Sequence, residues 1–123
     1  MEGNNRFDVD EREPLYFISI AARLVGMHVQ TLRKYERMGL IEPPRSGGNV
    51  RLYSPEDIRR LKQIKYLVGE LGINLAGIDR ILELTEVVLR LERSVRRERD
   101  AERLSELTIK EIKALKRLLG LSY

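Results

Sequence analysis

Residues 27 to 40 read "MHVQTLRKYERMGL". At helical spacing Gln30, Arg33, Lys34 and Arg37 share one stripe, while Val29 and Leu32 point elsewhere and Gly39 marks a stop. A short helix with a face made almost wholly of hydrogen-bond donors is suited to meeting acceptors. Upstream, Ser19 is a candidate N-cap before "IAARLV", and Gly26 closes that first helix after fewer than two turns. A tight glycine-containing turn then joins the two helices, as in a helix-turn-helix, and the donors lie on the second, the helix that reads the major groove in such units.

Working outward, "IEPPRSGGNVRLY" (residues 41 to 53) holds two prolines, a Gly47-Gly48-Asn49 turn and a β-like run from Val50 to Tyr53, which predicts a small hairpin. Alternation places Val50 and Leu52 on one face, with Arg51 and Tyr53 on the other. In "SPED", Ser54 stands at N-cap, Pro55 at N1 and Asp57 at N3 of a third helix. Ile58, Leu61, Ile64, Tyr66, Leu67 and Val68 form its apolar side, and Gly69 and Gly72 bracket its end. "INLAGIDRILEL" (residues 73 to 84) predicts a further helix capped by Asn74, burying Leu75, Ile78, Ile81 and Leu82. Leu84, Val88, Leu91 and Val95 continue as a coiled-coil seam until the charged run "RRERD". Thr108 to Glu111 reads as another capping box, opening an amphipathic helix with Ile109, Ile112, Leu115, Leu118 and Leu119, stopped by Gly120.

The expected fold is all-α with a small β-hairpin wing: a winged helix-turn-helix head followed by a dimerising coiled-coil helix. Residues 1 to 15 are expected to be a disordered acidic leader, 16 to 84 the head, 85 to 107 the coil and 108 to 123 a short C-terminal helix. At 1.5 Å per residue such a coil is about 34 Å long, comparable with the turn of DNA between half-sites read by a dimer. Folding of the seam residues back onto their own head is the competing expectation.

The chain has 123 residues, 42% of them hydrophobic, which suits one small domain with an appendage. It has no cysteine, which excludes disulfides, thiol catalysis and thiolate metal sites. No apolar run approaches the roughly 20 residues of a membrane span, and the acidic start lacks a signal peptide's pattern, so the cytoplasm is the expected location. The net charge of +4 is unevenly spread. Residues 1 to 15 carry five acids against two arginines, residues 16 to 66 carry ten Lys or Arg against four acids, and the remainder is nearly balanced. The basic charge therefore sits on the head, next to the donor stripe and the hairpin with Arg45, Arg51 and Tyr53, which together form a DNA-binding footprint.

These residues also carry a resemblance. "ISIAARLVGMHVQTLRKYERMGLIEPPR" followed by "RLYSPEDIRRLKQI" resembles the N-terminal winged helix-turn-helix of the MerR family of bacterial transcription regulators, over roughly residues 16 to 84. Within that family, "GINLAGIDRILEL" with "QTLRKYERMGL" is most similar to its repressors of heat-shock genes. The resemblance implies a homodimer, paired antiparallel through the coil, that binds a palindromic operator at chaperone operons with the chaperone DnaK as co-repressor.

Gln30, Arg33, Lys34 and Arg37 are the recognition-face candidates: Gln pairs bidentately with adenine and Arg with guanine, and each also suits a phosphate. The resemblance adds Thr31 and Tyr35, from the family's TLRxYE pattern, and the wing residues Arg51 and Tyr53. A tyrosine at either place equally fits a core position with its ring buried. The helix start at Asn74 has backbone amides that could meet a phosphate, as any helix start has. Leu84, Val88, Leu91 and Val95 are the dimerisation candidates.

His28, the single histidine, has no ligand partners at metal spacing and is explained by its place in the turn. With no cysteine nucleophile, glycine-rich phosphate loop or acid–base pair beside that histidine, the pattern is not an enzyme's, and no metal or cofactor is expected. Many MerR relatives bind a metal or drug beyond the coil. Here the absent thiolates and the roughly 16 residues expected after the coil point instead to a protein effector. Two other functions fit the same residues: a MerR-type activator of another regulon, and a coiled-coil adaptor that holds protein partners.

Overall fold

Helix α1 (Ile18–Val25) is the first helix of the computed structural model, which describes residues 11–46 and 50–122. Its first free carbonyl is that of Phe17, which accepts from the amides of Ile20 and Ala21 at 3.0 and 2.9 Å. Ser19 therefore lies exposed inside the first turn and does not cap it, contrary to expectation. Ala21, Ala22 and Val25 face the core. The helix stops at Gly26, whose φ of 68° lies in the left-handed region, and the Met27 amide turns back to the Ala22 carbonyl at 3.0 Å. Lys65 Nζ donates to the carbonyls of Val25 and Gly26 at 3.1 and 3.2 Å, placing a cation at the negative end of the helix.

Two residues later α2 (Val29–Arg37) begins, with the His28 carbonyl accepting from the amides of Thr31 and Leu32. His28 thus stands at the turn, as its position in the sequence implies. After α2 the chain is anchored by buried Leu40 and Ile41, and Arg60 Nε donates to the Leu40 carbonyl at 2.8 Å.

The wing consists of β1 (Arg45–Ser46) and β2 (Val50–Arg51), antiparallel, with Arg45 opposite Arg51 and Ser46 opposite Val50. The expected Gly47-Gly48-Asn49 turn lies outside the described residues, as do the side chains of Arg45 and Ser46. Tyr53 extends the sheet by an antiparallel bridge to Tyr16, and its carbonyl accepts from the amides of Leu15 and Tyr16. The end of the supposed leader is therefore tied to the head: Glu11 pairs with Arg59, and its carbonyl accepts the Glu56 amide at 2.8 Å. Residues 1–10 lie outside the described set.

Helix α3 (Pro55–Lys65) opens with the expected capping box. Ser54 Oγ accepts the Asp57 amide at 3.0 Å, and Asp57 Oδ2 accepts the Ser54 amide at 2.9 Å. Leu61 and Ile64 are fully buried, with Ile58 and Leu67 nearly so. The helix runs on into a π turn, Tyr66–Glu70, which leaves Tyr66 exposed and not on the apolar side.

The chain divides into two compact units, Met1–Ile73 and Asn74–Tyr123, so the expected boundary at residue 84 falls inside a helix. In the second unit α4 (Leu75–Arg97) is capped by Asn74 Oδ1, which accepts the Ala76 amide at 2.8 Å. The expected coil over residues 85 to 107 is not one helix. It breaks at Glu98–Asp100, and α5 (Ala101–Leu118) starts seven residues before the anticipated box, leaving Thr108 and Glu111 in mid-helix. The physical cause is Asp100, whose side chain caps the new helix through the amides of Glu102 and Arg103 at 3.0 and 3.4 Å, an alternative to continued helix.

The break lets α5 fold back on α4. Arg90 and Glu111, on opposite sides of it, form a bidentate pair, with Arg90 Nε 3.1 Å from Glu111 Oε2 and Nη2 3.3 Å from Oε1. Glu111 is buried, and on α4 Val87 is buried while Val88 and Val95 remain exposed.

Substituting Gly26→Ala puts an L side chain in the left-handed region, with its Cβ 2.8 Å from Lys65 Nζ. The expected loss is about 1–2 kcal/mol in urea unfolding, enough to shift the midpoint clearly.

Candidate nucleic-acid interface

A single buried edge sets the orientation of α2. Leu32 is fully buried and Tyr35 is 6% exposed, so Gln30, Arg33, Lys34 and Arg37 are turned outward, and all four are exposed. Thr31 is half-buried at the margin. An exposed row of amide, guanidinium and ammonium groups offers donors for base edges and phosphates.

The wing adds Arg51, which lies against Glu36 of α2 in an ion pair, with side-chain exposures of 36% and 18%. Arg33, Glu36, Arg37, Glu42, Pro43 and Arg51 line an open cleft of about 450 Å³ between α2 and the wing. Three guanidinium-bearing side chains thus surround one concavity, with two carboxylates beside them. Glu36 was not anticipated as part of this site. Its signal in the sequence is a lone acid between Arg33 and Arg37, which helical spacing alone reads as a solvated neighbour.

Two expected contacts change place. Tyr53 is fully buried with its hydroxyl closed to solvent, so it cannot meet DNA in this conformation, and Tyr35 is likewise a core residue of α2. Val50 is exposed and Tyr53 fully buried, so the face on which Tyr53 was expected to meet DNA is turned inward at that residue. Arg45 stands opposite Arg51 on β1. At Asn74 the amides of Ala76 and Gly77 are bonded to Asn74 itself, which occupies donors that were expected to be available for a phosphate.

The head's helix-turn-helix and wing, with this outward donor face, agree with the comparison to known proteins: residues 16–85 match the MerR HTH family regulatory proteins. The chain belongs to the MerR family. Among its relatives, the putative heat shock protein HspR of Streptomyces coelicolor is 48% identical over 94 residues, covering 75% of this chain and 62% of that protein. The HTH-type transcriptional regulator GlnR of Bacillus anthracis is 38% identical over 73 residues, 59% of this chain and 56% of that protein. The chain thus spans less than two thirds of the length of these relatives. The crystal structure of the transcription regulator PbrR691 from Ralstonia metallidurans, in complex with lead(II), aligns with a TM-score of 0.55 at 29% identity, covering 86% of this chain and 84% of that one.

The second unit departs from one further expectation. Too little chain was expected after the coil to frame a cavity. With α5 starting at Ala101, the α4–α5 hairpin instead carries open grooves of about 360 and 320 Å³, the first bordered by Arg90, Arg93 and Arg97 and both by Arg90. Among the described residues no helix is long and apolar enough to cross a membrane, and no group of three His, Cys, Asp or Glu is placed to hold a metal ion.

Burial, and next the Glu36 carboxylate, push the Tyr53 hydroxyl up from 10.0 to about 12. The unfolded chain therefore releases this proton first as pH rises, so Tyr53's contribution is intact below about pH 10 and is lost between about 10 and 12, by at most about 3 kcal/mol. In Tyr53→Phe this part of the alkaline loss should disappear. Because the hydroxyl has no hydrogen-bond partner among the described residues, the variant should stay within about 1 kcal/mol of the parent at pH 8, checked by urea unfolding across the pH range.

Proposed function

We propose that this MerR-family chain is a sequence-specific DNA-binding transcriptional repressor of heat-shock genes, binding an inverted-repeat operator as a homodimer with DnaK as co-repressor. The observation that carries DNA binding is the outward row Gln30, Arg33, Lys34 and Arg37, held over buried Leu32 and next to the arginine-lined wing cleft. α2 enters the major groove, its side chains reading base edges, while wing arginines take the backbone. The heat-shock regulon is supported by the similarity to the Streptomyces HspR. Repression follows from operator position, where a bound dimer obstructs polymerase. The reading places the protein in the bacterial cytoplasm, on the nucleoid.

For the dimer, α5 covers the Val87 edge of α4, while Val88 and Val95 of the proposed seam are 54% and 56% exposed and Leu84 and Leu91 are half-exposed. A second copy laid antiparallel along this edge would bury them, and α4, with 23 residues, is about 35 Å long, near one DNA turn. Val88→Glu with Val95→Glu puts charges in that seam. The pair should convert a dimer to a monomer in sedimentation equilibrium while keeping its helical circular dichroism; an unchanged mass would place the dimer contact elsewhere.

Mobility shift on the region upstream of the host's chaperone operon, at fixed salt with competitor DNA, with and without DnaK, tests the function. A specific shift strengthened by DnaK is expected, and Arg33→Ala or Arg37→Ala should weaken it by about tenfold or more. A specific shift only on other promoters would assign a different regulon, as for a MerR-type activator. Absence of any specific shift would favour the adaptor.

A further inference from the structure

The wing is two strands of two residues each, too short to hold its own position, so its spacing from α2 depends on side-chain ties. One such tie is the Glu36–Arg51 ion pair. Arg51 Nε lies against the Glu36 carboxylate and is closed to solvent, with ion-pair proximity and no hydrogen bond among the described residues, although about a third of the side chain, 36%, remains open. The guanidinium is thus held by its inner edge, and its fork has further N–H donors on the terminal nitrogens. Arg33 and Arg37 flank Glu36 on α2 and line the same cleft.

Two opposite effects follow from a carboxylate here. Its charge repels phosphates, and its grip on Arg51 removes rotamer freedom that an unpaired arginine would lose on binding DNA. The geometry favours the second. Glu36 is only 18% exposed and already neutralised by its partner, so the pair presents a dipole and not a free negative charge to a phosphate.

We propose that Glu36 is a positioning residue of the DNA interface: without touching nucleic acid, it clamps Arg51 so that the wing meets the DNA backbone at a set distance from α2. Tyr53, two residues beyond Arg51, is fully buried, and the same carboxylate opposes its ionisation. The inference rests on the DNA-binding reading above.

The test uses the full chain with Glu36→Gln, Arg51→Gln and the double variant, each first shown to unfold cooperatively, and measures operator binding across a salt series. Glu36→Gln should weaken binding about five- to tenfold and flatten the slope of log K against log salt by about 0.9, the signature of one lost phosphate contact. Arg51→Gln should do the same, and the double variant should be no weaker than Arg51→Gln alone. Tighter binding in Glu36→Gln, an unchanged slope, or losses that add would each overturn the clamp while leaving DNA binding intact. A wild-type chain with no operator preference would overturn both readings, and that result is visible before any variant is compared.

Discussion

Leu32 is the contact on which the head's arrangement depends. A nine-residue helix is too short to be stable in water by itself, so α2 exists because one side of it is buried, and its rotation is set by which side that is. With Leu32 fully buried and Tyr35 nearly so, the four donors have no orientation available except outward. Removing that anchor would leave the donor residues present and their common direction undefined. Around it, the Gly26 turn sets the entry of α2, Lys65 secures the end of α1, and Arg60 holds the Leu40 carbonyl beyond its end.

Electrostatics then refines what packing has placed. The head is basic overall, yet its cleft contains Glu36 and Glu42 among the arginines. Long cationic side chains on a solvated surface sample many rotamers, and a partly buried carboxylate reduces that number for the arginine it holds. Affinity for a polyanion comes from the number of cations, while register depends on how firmly each is held.

The second unit uses charge differently. Removing Arg90 would strand the buried Glu111 carboxylate, so the pair ties α5 to α4 at this one register. On α4, Val87 belongs to the hairpin, and Val88 and Val95 stand open one step around the helix.

Much of this was legible in the sequence because the signals were local. Ser54-Pro55-Glu56-Asp57 encodes its own cap within one turn, Gly26 supplies the left-handed stop, and the spacing of Gln30, Arg33, Lys34 and Arg37 defines a stripe before any packing is known. What the sequence could not specify were choices between competing partners far apart in the chain. Alternation puts Tyr53 and Arg51 on one face, but only packing against distant parts of the chain decides that Tyr53 is buried and that Arg51 lies against Glu36. Ser19 and Thr108 satisfy a capping pattern, yet each lies within a helix, because the Phe17 carbonyl and the Asp100 side chain begin those helices earlier. The run around Asp100 is compatible with either continued helix or a hairpin. Local sequence determined the donor stripe and the caps; the long-range pairing of Arg90 with Glu111, possible only once α5 has turned back, accompanies the choice of the hairpin.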